Sequence, residues 1–214
     1  MDEPAPLIRS FSQLRAAEEA CTRCPLYRDA TQVVPGEGPA KARILLVGEQ
    51  PGDKEDLAGR PFVGPAGRVL DQALQEAGIP RADTFVTNAV KHFKHEMRGK
   101  RRLHKRPNAY EIERCNWWLE IERALLKPPV IVALGATAAG SLTGRPVVIN
   151  KLRGTPIALA GDSQLVVTVH PSYLLRIREP ADKRAEYDRF VNDLRQAAGL
   201  LSHAPPRLRA ARRR

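Results

Sequence analysis

The chain has 214 residues, 43% of them hydrophobic, enough for one sizeable α/β domain with its own core. No apolar run approaches the roughly 20 residues of a membrane helix, and the acidic start Met-Asp-Glu-Pro lacks the apolar segment of a secretory signal, so a cytoplasmic protein without a membrane partner is expected. The net charge of +11 is focused in two places, which suits a polyanionic partner.

One focus is the end of the chain, Arg207, Arg209, Arg212, Arg213 and Arg214, with no acid after His203. Residues 201–214 read as a disordered basic tail behind a single domain spanning 1–200. The other focus runs from Lys91 to Arg106. It carries eight cations against one acid, Glu96. Within it, Lys100-Arg-Arg-Leu-His-Lys105 lies between Gly99 and Pro107 and reads as a loop, poor both as helix interior and as strand. Such a run is a solvated basic loop, a localisation signal, or a set of phosphate holders delivering His104 to chemistry.

In chain order, residues 7–20 have helical apolar spacing and deliver Cys21-Thr-Arg-Cys24. The chain has three cysteines, and an odd, small number argues against a disulfide framework. The C-x₂-C pair points to metal ligation or dithiol exchange. With Cys115 it leaves a fourth ligand to be found, and Cys₃His zinc is one solution.

Arg43-Ile-Leu-Leu-Val-Gly48 is a continuous apolar strand of the kind buried on both faces of a parallel sheet. It runs into Gly48-Glu-Gln-Pro-Gly52-Asp53, a turn that matches neither a phosphate loop nor a dinucleotide fingerprint. A Gly/Pro-rich loop continues to Gly67, carrying Phe62, which is either a core plug or a stacking surface for a base. A helix follows over residues 68–77. Thr84-Phe-Val-Thr-Asn88 is a second strand, and Asn88 caps a turn or reads a base edge. Residues 107–126 form the longest helix, ended by Pro128-Pro129. Val130–Leu134 is a third strand, residues 153–159 an exposed strand or hairpin arm, and Leu165–Val169 the last core strand, delivering His170-Pro171-Ser172. Residues 180–198 form the closing helix. Alternating strands and helices predict a three-layer α/β/α domain with a central, four-stranded, mainly parallel sheet. Ligands of such sheets bind outside the carboxyl ends of the strands.

Gly48-Glu-Gln-Pro-Gly52, Asn88 and His170-Pro-Ser172, in that order after three strands, resemble the uracil-DNA glycosylase superfamily, in particular its iron–sulfur family 4. Lys100-Arg-Arg-Leu-His104 is similar to the loop of the subtype called UdgX, which forms a covalent complex with uracil-DNA, except that Leu103 stands where that loop usually has Ile. The resemblance implies a [4Fe–4S] cluster on Cys21, Cys24, His92 and Cys115, with His92 where family 4 has a cysteine and His95 as the competing ligand. It implies that Phe62 stacks on a flipped uracil and that Asn88 reads its polar edge. Gly48, Gln50 and Gly52 complete the pocket, and Asp53 positions the loop or a water. His170 stabilises charge on the leaving uracil, and His104 attacks C1′ with Glu49 beside it. Lys100, Arg101, Arg102 and Lys105 then hold phosphates. The expected protein is a monomer acting on uracil-containing DNA, preferably single-stranded, near the nucleoid of a bacterium. Two other readings are a conventional turnover glycosylase and a non-catalytic nucleic-acid-binding module.

Overall fold

The computed structural model describes residues 8–203; the arginines beyond His203 lie outside the described residues. Strands β1 (Ile44–Gly48), β2 (Thr84–Asn88), β5 (Val130–Leu134), β6 (Ile157–Ala158) and β7 (Gln164–Thr168) form one sheet in the order β2-β1-β5-β7-β6. The first four are parallel. The sheet therefore has five strands where four were expected. The extra one, β6, is a two-residue antiparallel edge built from the segment read as a hairpin arm. Its brevity limits the unpaired edge the sheet exposes.

The continuous apolar runs are explained by burial on both faces. Along β1, Ile44 and Leu46 enter one apolar cluster while Leu45 and Val47 enter another, as the two-residue period of a strand requires. The first cluster is closed by α3 (Pro65–Glu76), α7 (Pro171–Leu174) and α8 (Pro180–His203); the second by α4 (Ala109–Leu126) and α5 (Ala136–Thr143). Asn108 caps α4 by accepting from the Glu111 N–H at 2.9 Å, and Glu111 returns the bond to the Asn108 N–H at 2.8 Å. A smaller cluster joins Leu14 of α1 (Phe11–Glu19) to Val90 and Trp118 and holds the cysteines.

The basic run is not a loop. His95–Arg98 (β3) and Arg101–His104 (β4) pair antiparallel as a separate hairpin, with His95 opposite His104 and Met97 opposite Arg102. Gly99 has φ +60° at the first position of the two-residue turn, the position such hairpins reserve for glycine. The glycine read as a strand breaker is thus the residue that lets the strand reverse. Alternation puts His95, Met97, Arg102 and His104 on one face of the hairpin.

That face is tied to the sheet edge. Arg102 donates to Asp53 Oδ1 at 2.7 Å, to Asp56 Oδ2 at 2.5 Å and to Thr31 Oγ1 at 2.9 Å. Asp53 and Asp56 belong to α2 (Asp53–Ala58), a short helix inside the segment read as continuous Gly/Pro loop. Gln50 adds three bonds, from its Nε2 to the carbonyls of Lys94 and Lys105 and from the Lys94 N–H to its Oε1.

Candidate active site

Because β1, β2, β5 and β7 run parallel, Glu49, Asn88, Gly135 and His170 all emerge at one edge of the sheet. A cavity of about 300 Å³ opens there, lined by Gln50, Asp53, Phe62, Asn88, His104 and His170 among others. A second of about 630 Å³ adjoins it, lined by Glu49, Arg106, Thr137 and Arg176 and sharing Gln50, His104 and His170 with the first. His104 therefore stands between the two.

The floor explains its glycines. A Cβ on Gly48 would lie 2.4 Å from Asn88 Oδ1 and 2.6 Å from Phe62 Cζ, so only glycine lets those two side chains converge. Phe62 is buried and takes φ +56°, a strained conformation for a bulky residue. It is held by two neighbours: Gly67, where a Cβ would strike the Phe62 carbonyl, and Glu55, whose carboxylate accepts from the N–H groups of Gly52 at 3.2 Å and Gly64 at 2.7 Å. Phe62 both packs in the core and lines the cavity. Asn88 is 2% exposed, yet its Oδ1 has no hydrogen-bond partner among the described residues. A buried amide oxygen costs free energy when unpaired, and this one sits where a ligand N–H could satisfy it.

His170 caps α7. Its Nδ1 accepts the Ser172 N–H at 3.2 Å and lies 2.8 Å from Ser172 Oγ. An accepting Nδ1 assigns the proton of the neutral ring to Nε2. Burial pushes the His170 pKa down to about 4, with His104 and Arg176 adding to the shift. At neutral pH His170 is thus an uncharged N–H donor.

His104, half-exposed, has Nε2 3.7 Å from Glu49 Oε1. Burial lowers its pKa below the ordinary histidine value and Arg176 contributes, while Glu49 opposes. Glu49 is held by Thr137 Oγ1, which donates at 2.5 Å, and has Arg106 Nε at 3.8 Å.

Several other candidate residues are engaged by neighbours in the fold. Arg102 pairs with Asp53 and Asp56, its side chain is 17% exposed, and these pairs anchor the hairpin. Gln50 turns its amide to the hairpin backbone, although it still lines both cavities. Asp53 is occupied with Arg102. Lys105 pairs with Glu96 at 2.9 Å in solvent, while Lys100 and Arg101 remain exposed at the hairpin tip. Glu55 and Thr137 were not foreseen, while Ser172 and Arg106 were named only as parts of a motif and of the basic run; Glu55 had a sequence signal in its place three residues after the N-capping Gly52.

The three cysteines are free thiols. Cys24 and Cys115 share one apolar cluster, with Cys21 packed against it. The Trp118 indole N–H donates to Cys21 Sγ at 3.1 Å, and the Lys91 N–H to Cys115 Sγ at 3.2 Å. Burial pushes the Cys115 thiol up to about 12, with Cys24 and Cys21 close enough to add to the effect. His92 is 5% exposed, and burial holds its imidazole below the ordinary value, in the neutral form that ligates metals. Among the described residues, no three His, Cys, Asp or Glu side chains close on the position of a single metal ion. Gathered thiols receiving N–H···S bonds do fit the surroundings of a thiolate-bound cluster. The ring of His95, the competing ligand, stacks on Phe93.

The sequence profile of the uracil DNA glycosylase superfamily matches residues 35–195, which include every strand-end residue described above. The chain belongs to the uracil DNA glycosylase superfamily. A Type-4 uracil-DNA glycosylase of Thermotoga maritima is 44% identical over 159 residues, covering 74% of this chain and 79% of that protein. One of Pyrobaculum aerophilum is 38% identical over 163 residues, covering 73% and 80%. A DNA polymerase of Bacillus phage SP01 is 32% identical over 176 residues, 80% of this chain but 17% of that protein. In this superfamily member, then, the matched region holds both the sheet edge and the hairpin that closes over it.

Proposed function

We propose that this chain excises uracil from DNA and retains the resulting sugar covalently through His104. Excision is the part supported by the Type-4 relatives and the superfamily match. Retention goes beyond them. It rests on one observation: an anchored hairpin holds a neutral imidazole at the mouth of the base pocket, beside Glu49.

A stacked base is out of reach, so the target nucleotide is flipped or already unpaired. Phe62 packs against the base and the unpartnered Asn88 Oδ1 accepts its N–H. The C1′–N1 bond breaks and its electron pair leaves with uracil, whose oxygen receives the Nε2–H bond of His170. Donors aimed at developing charge act on the transition state. The sugar is left as an oxocarbenium ion. The lone pair of His104 Nε2 then forms the bond to C1′, and the positive charge passes to the imidazolium, facing the Glu49 carboxylate. Holding the ring against the cation favours it over water. Lys100, Arg101 and Arg106 supply the exposed positive charge for phosphates, which position DNA without reading sequence.

Cys21, Cys24 and Cys115 with His92 would hold a [4Fe–4S] cluster, which supplies a structural cross-link between the N-terminal segment, the start of the basic run and α4. His92→Ala is expected to lower iron per protein chain and the brown visible absorbance; unchanged iron would move the fourth ligand elsewhere.

The relatives alone favour a conventional glycosylase, in which water captures the cation. Incubation with single-stranded uracil-DNA separates the readings. A band shift that survives denaturant supports retention. Free abasic product in excess of enzyme, without that band, supports conventional turnover.

A further inference from the structure

Phe93 is assigned no role by the reaction, yet three side chains of the hairpin converge on it. It is 1% exposed and follows directly after His92. The His95 ring stacks on it at 5.0 Å between centroids and 22° between planes. The Arg102 guanidinium carbon lies 5.5 Å from its ring centre. The His104 ring tilts against it at 6.1 Å and 49°. His95, Arg102 and His104 belong to the one hairpin face defined by the strand pairing, so three of the four side chains of that face meet a single buried ring.

We propose that Phe93 is the positioning residue that holds the His104 ring ready for C1′, and so sets how the sugar cation is divided between His104 and water. This rests on the covalent reading above. His104 is half-exposed, and the Glu49 carboxylate lies 3.7 Å from its Nε2, beyond hydrogen-bond range. Its ring would otherwise be free to turn about two side-chain bonds. Phe93 cannot move, because it is buried, and it is clamped from the hairpin side by Arg102, itself fixed on Asp53 and Asp56. A flat, rigid neighbour restricts an imidazole without offering a hydrogen bond that would occupy its lone pair. Capture of a short-lived cation tolerates little misplacement, since displacing a reacting group by about 1 Å costs on the order of 100-fold.

The test uses a ratio. Crosslink and free abasic product diverge from the same cation, so their ratio does not depend on how much enzyme is active or how fast it excises. Cluster-loaded wild type, Phe93→Leu, Phe93→Met and Phe93→Tyr are each reacted to completion with single-stranded uracil-DNA, and both products are counted on a denaturing gel alongside iron per chain. Leu and Met fill the space without a flat ring. Each is expected to excise uracil within about threefold of wild type while its crosslink-to-abasic ratio falls at least tenfold, and Tyr is expected to restore the ratio. A wild-type ratio in an iron-retaining Leu or Met variant overturns the assignment and leaves the covalent reading standing. Loss of iron in both ringless variants places Phe93 in the core alone and likewise overturns it. A wild-type protein giving only free abasic product overturns the covalent reading itself, and this assignment with it.

Discussion

His104→Ala is expected to abolish the denaturant-resistant band completely while uracil is still released. The two outcomes separate because, in the covalent reading, His104 acts after the bond to uracil has broken. Asn88, Phe62 and His170 line the first cavity and are fixed by strand ends, by Ser172 and by the Gly48 and Gly67 contacts. Removing the imidazole leaves a gap at the mouth of a water-accessible cavity, and water becomes the nucleophile. The alanine variant is therefore expected to turn over, with abasic product exceeding enzyme. The pH dependence of the wild-type crosslink follows from the same group. In that reading the nucleophile is the neutral ring, present above its pKa and lost as pH falls through it. Burial lowers that pKa, His170 and Arg176 face it, and Glu49 pulls the other way. The acid limb of the crosslinking rate is thus expected below the ordinary histidine value of about 6.5. A limb above that value would mean that Glu49 dominates and the ring is cationic at rest. A variant lacking His104 that still crosslinks would place the nucleophile on another side chain.

The parts of the fold set by apolar pattern were legible in the sequence. Runs such as Ile44–Val47 and Val130–Leu134 have one reading, a strand buried on both faces, and their parallel pairing follows from the helices between them. The strand ends were legible for the same reason, since Gly48, Asn88 and His170 sit where the apolar runs stop. The basic run misled because charge says nothing about backbone conformation. Its strands are half-polar, short and paired only with each other, so their stability comes from tertiary anchors such as the Arg102 pairs, Gln50 and Phe93. The Gln50 and Arg102 anchors bridge some 40 to 70 positions along the chain, and no local pattern encodes them. The same holds for Arg102. Three cations in a row, Lys100, Arg101 and Arg102, look alike in a sequence, and alternation along β4 decides which one turns inward to meet Asp53 and Asp56. The two-residue turn at Gly99-Lys100 was a signal that could have been weighed more heavily.

His170→Ala is expected to slow uracil release by about 100- to 1000-fold, the usual cost of removing one donor that faces developing oxyanion charge. The donor here is neutral, and its geometry says why. The Ser172 N–H and hydroxyl occupy Nδ1, which fixes the proton on Nε2. Burial, His104 and Arg176 make a second proton costly, so the ring stays neutral down to a pH of about 4. A cationic His170 would repel both the sugar cation and the imidazolium formed on His104. Neutrality would let it stabilise the leaving uracil without opposing the charge that builds on the sugar and on His104. His170 contributes before the cation exists, whereas His104 contributes after, so their variants should fail differently. His170→Ala is expected to lower crosslink and free abasic product together, leaving their ratio near wild type, when single-turnover release is followed with excess enzyme. His170→Asn, which keeps an N–H donor without the ring, is expected to recover part of the rate. A His170→Ala protein that excises as fast as wild type would show that the Asn88 side carries the stabilisation alone.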